Sequence, residues 1–206
     1  MVVNTPTPVL ERIRVVTRPF HRALEQSSSL MRPDVTAADY RCYLTKLLGF
    51  HAPVELMLNG LAIRHGLDMA LAGRRKTPLI VQDLASLGLS RASAEAVPWS
   101  PWLPKPVGIG GLLGCAYVLE AATLGGKILL RRLARWLPEV AGACRYLNCY
   151  GDAVGELWHA FLALFEVHVV GRADQDAAVV ASCETAQTLW AWLARVSVTS
   201  QVVQHG

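Results

Sequence analysis

His21 and Glu25 stand one helical turn apart, and Arg18 and Arg14 precede the histidine by one and two turns. At about 100° per residue, the four fall within roughly 60° of one another on a helix. A carboxylate so placed can accept a hydrogen bond from the imidazole, fix its tautomer and make the other ring nitrogen a better metal ligand. Arginines on the same stripe suit the carboxylates of a bound ligand. Taken alone, the stripe reads more simply as a solvent face laced with ion pairs.

A second stripe is notable for its lack of side chains. Gly111, Gly114, Ala121 and Gly125 share one side of a helix, with Val118 among them and Gly126 directly following. Each glycine inside a helix costs up to about 1 kcal/mol against alanine, so several on one face imply that something approaches the backbone closely. Another helix crossing at short range is one explanation. A flat ligand lying across the helix is the other. Together with a His–Glu pair elsewhere, the stripe favours a flat metal macrocycle held between two helices.

The elements that must position these residues read as helices throughout, because apolar residues recur at three and four rather than two. The first runs from Pro6 or Pro8 to about Gln26, burying Ile13, Val16, Phe20 and Leu24. Thr36 and Asp39 form a capped start to a second helix reaching about Leu58. Shorter helices are expected over 60–71, 78–87 and 90–96, the second capped by Thr77 with Pro78 behind it. The prolines of the connector 98–106 exclude helix. The glycine-rich helix spans 110–137, and two more cover 152–170 and 174–198. The chain is expected to be all-α and to form a single domain over residues 1–206.

Hydrophobic residues make up 52% of the 206 and charged residues 17%, which excludes a disordered chain. The stretch 107–130 is long and apolar enough to span a bilayer, but it contains Glu120 and Lys127 and reads as a buried helix. The N-terminus shows neither the basic region nor the apolar core of a signal peptide, so a cytoplasmic location is expected and no membrane partner. Five scattered cysteines without a C-x-x-C pair suit reduced thiols. The net charge of +4 comes without a basic, aromatic-rich cluster, so nucleic acid is not an expected partner.

The segments Thr17-Arg-Pro-Phe-His-Arg-Ala-Leu-Glu25 and Gly114-Cys-Ala-Tyr-Val-Leu-Glu-Ala-Ala-Thr-Leu-Gly-Gly126 resemble bacterial haem oxygenases, most closely the branch that supplies biliverdin to bacteriophytochromes. The second segment is the more specific. The resemblance implies a multihelical haem-oxygenase-like fold with haem between the first helix and the glycine-rich one. His21 would be the iron ligand, Glu25 its partner, and Arg14 and Arg18 would face the propionates. Gly114 and Tyr117 would also border the haem. Gly125 and Gly126, with Ala121 and Ala122, would form the distal catalytic wall. The implied reaction consumes haem, molecular oxygen and electrons from a ferredoxin or reductase, opening the ring to biliverdin, carbon monoxide and iron. Where relatives carry glycine followed by a small or polar residue, this chain has Ala121-Ala122, which narrows the pocket and thins its polar network.

Other readings attach to other residues. A haem carrier or sensor would bind without degrading. Glu156-Leu-Trp-His159 has the form that contributes to di-iron sites, but only one copy is present. Cys115 could be a nucleophile, as in thiaminase-like helical proteins, although no acid–base set accompanies it. His51, His65, His159, His168 and His205 read as surface or hydrogen-bonded core residues.

Overall fold

The computed structural model describes residues 7–195, in which nine α-helices and three short 3-10 turns follow one another. Pro8 opens α1 (Pro8–Ser27), where a missing N–H is harmless because first-turn donors lack helical partners. Val9, Leu10, Ile13 and Thr17 are its buried residues. Val16, Phe20 and Leu24 are only half-buried, and Leu24 borders a cavity.

The second helix starts where the sequence predicts, with a full capping box. Asp39 N–H donates to Thr36 Oγ1 at 3.1 Å, and Thr36 N–H donates back to Asp39 at 2.9 Å. It does not stop near Leu58. The helix α2 (Ala37–Arg64) runs on through Gly60, because Leu58, Leu61 and Ala62 keep the buried period going. The separate helix expected over 60–71 therefore reduces to the short α3 (Asp68–Ala72). Gly49 of α2 lets the proline connector dock, since a Cβ there would lie 2.5 Å from the Pro98 carbonyl oxygen. Ser100 N–H donates to the Gly49 carbonyl at 2.8 Å.

Next come α4 (Thr77–Ser86) and α5 (Arg91–Glu95). Thr77 does not cap α4. The Glu55 carboxylate does so instead, accepting the backbone N–H groups of Lys76 at 2.7 Å and of Thr77 at 3.2 Å. After the extended connector comes the longest helix, α6 (Gly108–Trp136), buried on every side from Gly110 to Glu120. It is long and apolar enough to cross a bilayer, yet 61% of its most apolar window is buried within the protein.

The remaining helices are α7 (Arg145–Asn148), α8 (Val154–His168) and α9 (Arg172–Ala194). The helix expected over 174–198 is thus α9, and its end at Val198 lies outside the described residues. α6 and α9 form the central pair, and α1 lies on α9 through an Arg12–Asp176 ion pair at 2.6 Å and a Phe20–Trp190 ring contact. Gly110 and Gly114 permit the α6–α9 approach: a Cβ on either would fall 2.1 Å from the Asp174 carbonyl oxygen or 2.3 Å from that of Ala178. For these two glycines, close helix crossing is the explanation.

Candidate functional site

A cavity of about 740 Å³ opens between the end of α1, the first turns of α2, the middle of α6, α7 and the end of α9. That volume lies within the range of small-molecule and cofactor sites. Leu24 and Glu25 of α1 form one wall, and Ala122, Thr123, Gly125 and Gly126 of α6 face them. Nothing lies within 4 Å of where a Gly125 Cβ would be. Gly126 meets the Leu147 carbonyl instead, 2.8 Å from its missing Cβ. The adjacent glycines thus divide the work: one brings α7 onto α6, and the other leaves the cavity open.

His21 sits on the same face of α1 as Leu24 and Glu25, within about 60° of each on the helix wheel and one turn back. It is exposed and lies outside the lining of the cavity, which begins at Leu24. Partial burial lowers its pKa below the ordinary imidazole value, opposed by the negative charge of Glu25, so the ring is neutral with a free lone pair at pH 7. Among the described residues no hydrogen bond joins the two side chains; Glu25 acts on the ring through its charge. Arg18 is exposed further along this stripe, and Arg14 makes a loose 3.7 Å pair with Glu11.

Two residues expected to border a cofactor lie elsewhere. Gly114 is filled by the backbone of α9, and Ser182 donates a hydrogen bond to its carbonyl at 2.9 Å. Tyr117 is 4% exposed and packs against Trp158 and Phe165. Gly114 is on the Gly125 side of the wheel, but about 16 Å up the axis, where α9 replaces the cavity. Ala121 is half-buried against the core, while Ala122 lines the cavity.

Opposite α1, the cavity wall includes Tyr43 and Tyr146. Tyr146 is set by the fully buried Asp83 of α4, which accepts the backbone N–H groups of Arg145 at 2.9 Å and Tyr146 at 2.8 Å at the start of α7. Behind Tyr146, His51 is fully buried, 3.2 Å from Glu55 through Nδ1. Glu120 points away from the cavity into a cluster in which Lys76 at 2.5 Å, Arg74 at 2.6 Å and Tyr150 at 2.9 Å all donate to it. Of the two roles expected for His51, surface or hydrogen-bonded core, the structure shows the second; Tyr43, Asp83 and Tyr146 carried no signal in the sequence, although His51-Ala-Pro-Val-Glu55 repeats the spacing of His21 and Glu25.

Two competing chemistries lose their footing. Glu156 and His159 are exposed, and among the described residues no group of three or more potential ligands could hold a metal ion. The Cys115 thiol is pushed up to about 12 by burial, with a hydrogen bond from Thr185 opposing the shift, so it is not a nucleophile at neutral pH.

This helix order defines a haem-oxygenase-like fold. The structure of a heme oxygenase from Leptospira interrogans matches it with a TM-score of 0.68 over 92% of this chain and 100% of its own, at 15% identity. At that identity the likeness is one of fold. In sequence, the chain is 29% identical over 114 residues to a heme oxygenase of Xanthomonas campestris pv. campestris (strain 8004), covering 52% of this chain and 59% of that relative's length. No family model matches the sequence.

Proposed function

We propose that this protein is a haem oxygenase that binds haem in the cavity between α1 and α6. The observation that carries the reading is a neutral histidine one turn back from the α1 wall on the same helix face, with a glycine gap at the opposite wall, in this fold. The residues fit the group: the cavity is large enough, its α6 wall carries small side chains, and the one imidazole on the α1 stripe is unprotonated at pH 7. When bound, haem supplies both the iron that activates molecular oxygen and the ring that is opened, giving biliverdin, carbon monoxide and iron.

The chain's own part is positional. His21 would be the residue to hold the iron through its lone pair, and Glu25 increases the ring's basicity through its charge. Gly125 keeps the opposite side free for a small ligand, while the adjoining Ala122 methyl crowds it. Arg18 and Arg14, further back on the same stripe, would be the residues to hold the propionates. The reading brings with it a ferredoxin or reductase as electron donor, a bacteriophytochrome as recipient of biliverdin, a cytoplasmic location and a single domain over the whole chain.

The test is a haem titration of the purified protein followed by ascorbate in air. A Soret band that decays into a biliverdin spectrum is expected. A Soret band that persists would instead establish a haem carrier or sensor, the second reading, which Ala122 favours because it places no polar group at the cavity. No Soret band would overturn both.

A further inference from the structure

Among the described residues that line the cavity, Lys46 on the third turn of α2 is the one cation. Its side chain is half-buried. The ammonium donates to the Leu193 carbonyl at 3.2 Å and to the Arg195 carbonyl, and Trp192 Nε1 donates back to the Lys46 carbonyl at 2.7 Å. A cation suits the end of a helix, where the last carbonyls lack backbone partners. An ammonium has three N–H donors, so this clamp on α9 uses two. The third is left for the cavity that Lys46, Leu193 and Ala194 border together.

The course of α1 shows which end of the cavity this is. α1 and α9 run side by side in the same direction, since Arg12 pairs with Asp176 and Phe20, further along, meets Trp190. Leu193 is therefore level with the last turns of α1, and Leu24, Glu25, Leu193 and Ala194 all border the cavity. Arg18 and Arg14 lie in the other direction, about 9 Å and about 15 Å back from Leu24 along the helix axis. Lys46 thus stands at the end of the site remote from the two arginines.

We propose that Lys46 recognises the product: its remaining N–H binds a carbonyl oxygen created when the tetrapyrrole opens at the edge remote from Arg18 and Arg14. The inference rests on the haem-oxygenase reading, and it names the ligand class of this end of the cavity, a linear tetrapyrrole with terminal carbonyls. A ring whose carboxylates face the arginines turns its hydrocarbon edge toward Lys46 and offers the ammonium no acceptor. Opening that edge leaves a carbonyl oxygen on each new end, so the contact exists for product and not for substrate. It forms without disturbing α9, because both bonds to the α9 carbonyls persist. Two hydroxyls in the lining cannot replace it as donor. Ser27 and Thr123 have committed their protons to the carbonyls of Ala23 and Glu120, each at 2.7 Å.

The test titrates full-length protein with haem, with biliverdin opened opposite its propionates, and with the dimethyl ester of that biliverdin. Lys46→Met is expected to weaken biliverdin and its ester alike by about tenfold or more, the loss of a hydrogen bond from a charged donor, while haem affinity stays within about threefold. Lys46→Arg, which restores charged donors, is expected to recover most of that loss. Unchanged biliverdin affinity in Lys46→Met would overturn the proposal. So would an equal loss for haem and biliverdin, the mark of a clamp that only holds α9. A loss confined to the free acid would overturn it too, by making Lys46 an anchor for carboxylates. In each case a wild type that still converts haem with ascorbate in air leaves the haem-oxygenase reading standing. A wild type that never converts haem would remove that reading, and the product contact with it.

Discussion

At the scale of single residues, His21 and Lys76 carry opposite burdens. His21 is an exposed ring whose value lies in a lone pair kept free at neutral pH. Replacing it with alanine should remove the imidazole-ligated haem spectrum and weaken binding by about tenfold or more, since even outer partners of a metal ligand change affinity on that scale. An unchanged spectrum in the titration would show that another group holds the iron. Lys76 is almost wholly buried and answers the equally buried Glu120. Lys76→Met leaves that carboxylate with the partly exposed Arg74 as its one cation, and should cost about 3–5 kcal/mol in a urea melt. The shared helix face of His21 and Glu25 was legible in the sequence because it needs only local spacing, but the hydrogen bond expected between them is not formed among the described residues. His51 had the same spacing but was legible only as a surface or hydrogen-bonded core residue, because one of its neighbours, Tyr146, lies 95 positions away.

Glycines on α6 show what an element adds to its residues. A helix wheel gives the angle at which a side chain leaves the axis, and it says nothing of what lies opposite at each height. Gly114 and Gly125 share an angle, yet one meets the Ala178 carbonyl and the other meets open space. Gly114→Ala should therefore destabilise the fold by about 1–3 kcal/mol through overpacking against α9. Gly125→Ala should leave stability unchanged or raise it by up to about 1 kcal/mol, through helix propensity, while reducing haem binding or turnover. Thermal melts of both variants beside haem titrations check the pair, and a stable Gly114→Ala would refute the packing account. The same limit explains α2. Its capping box was readable from Thr36 and Asp39, whereas Gly60 looked like a break because burial of Leu61 and Ala62 outweighs its propensity cost only in the folded chain.

Across the whole molecule, the central α6–α9 pair and α2 build a scaffold that the cavity interrupts on one side. Filling the cavity should stabilise the protein by mass action. Haem at about 100 times its dissociation constant contributes about 2.7 kcal/mol, which raises the melting temperature by roughly 5–11 °C for a chain of this length. Differential scanning calorimetry of wild type and His21→Ala with haem checks this; equal shifts in the two would mean that the iron–imidazole bond contributes nothing. The all-helical architecture was readable from apolar periodicity and the proline connector. A ligand space between α1 and α6 was expected from the two stripes, but the walls that α2, α7 and α9 add to it were not, because they depend on how distant segments are placed.

α1 takes most of its packing from α9, through Arg12, Phe20 and its buried stripe, while α6, which supplies the wall across the cavity, is buried on every side from Gly110 to Glu120. The two walls are thus unequally anchored, and any widening needed to admit a broad, rigid disc falls to α1. Its amide hydrogens should exchange with solvent sooner than those of α6 in the empty protein. Uptake of the disc should follow a rate that levels off at high concentration, set by the swing of one hinged arm and not by diffusion.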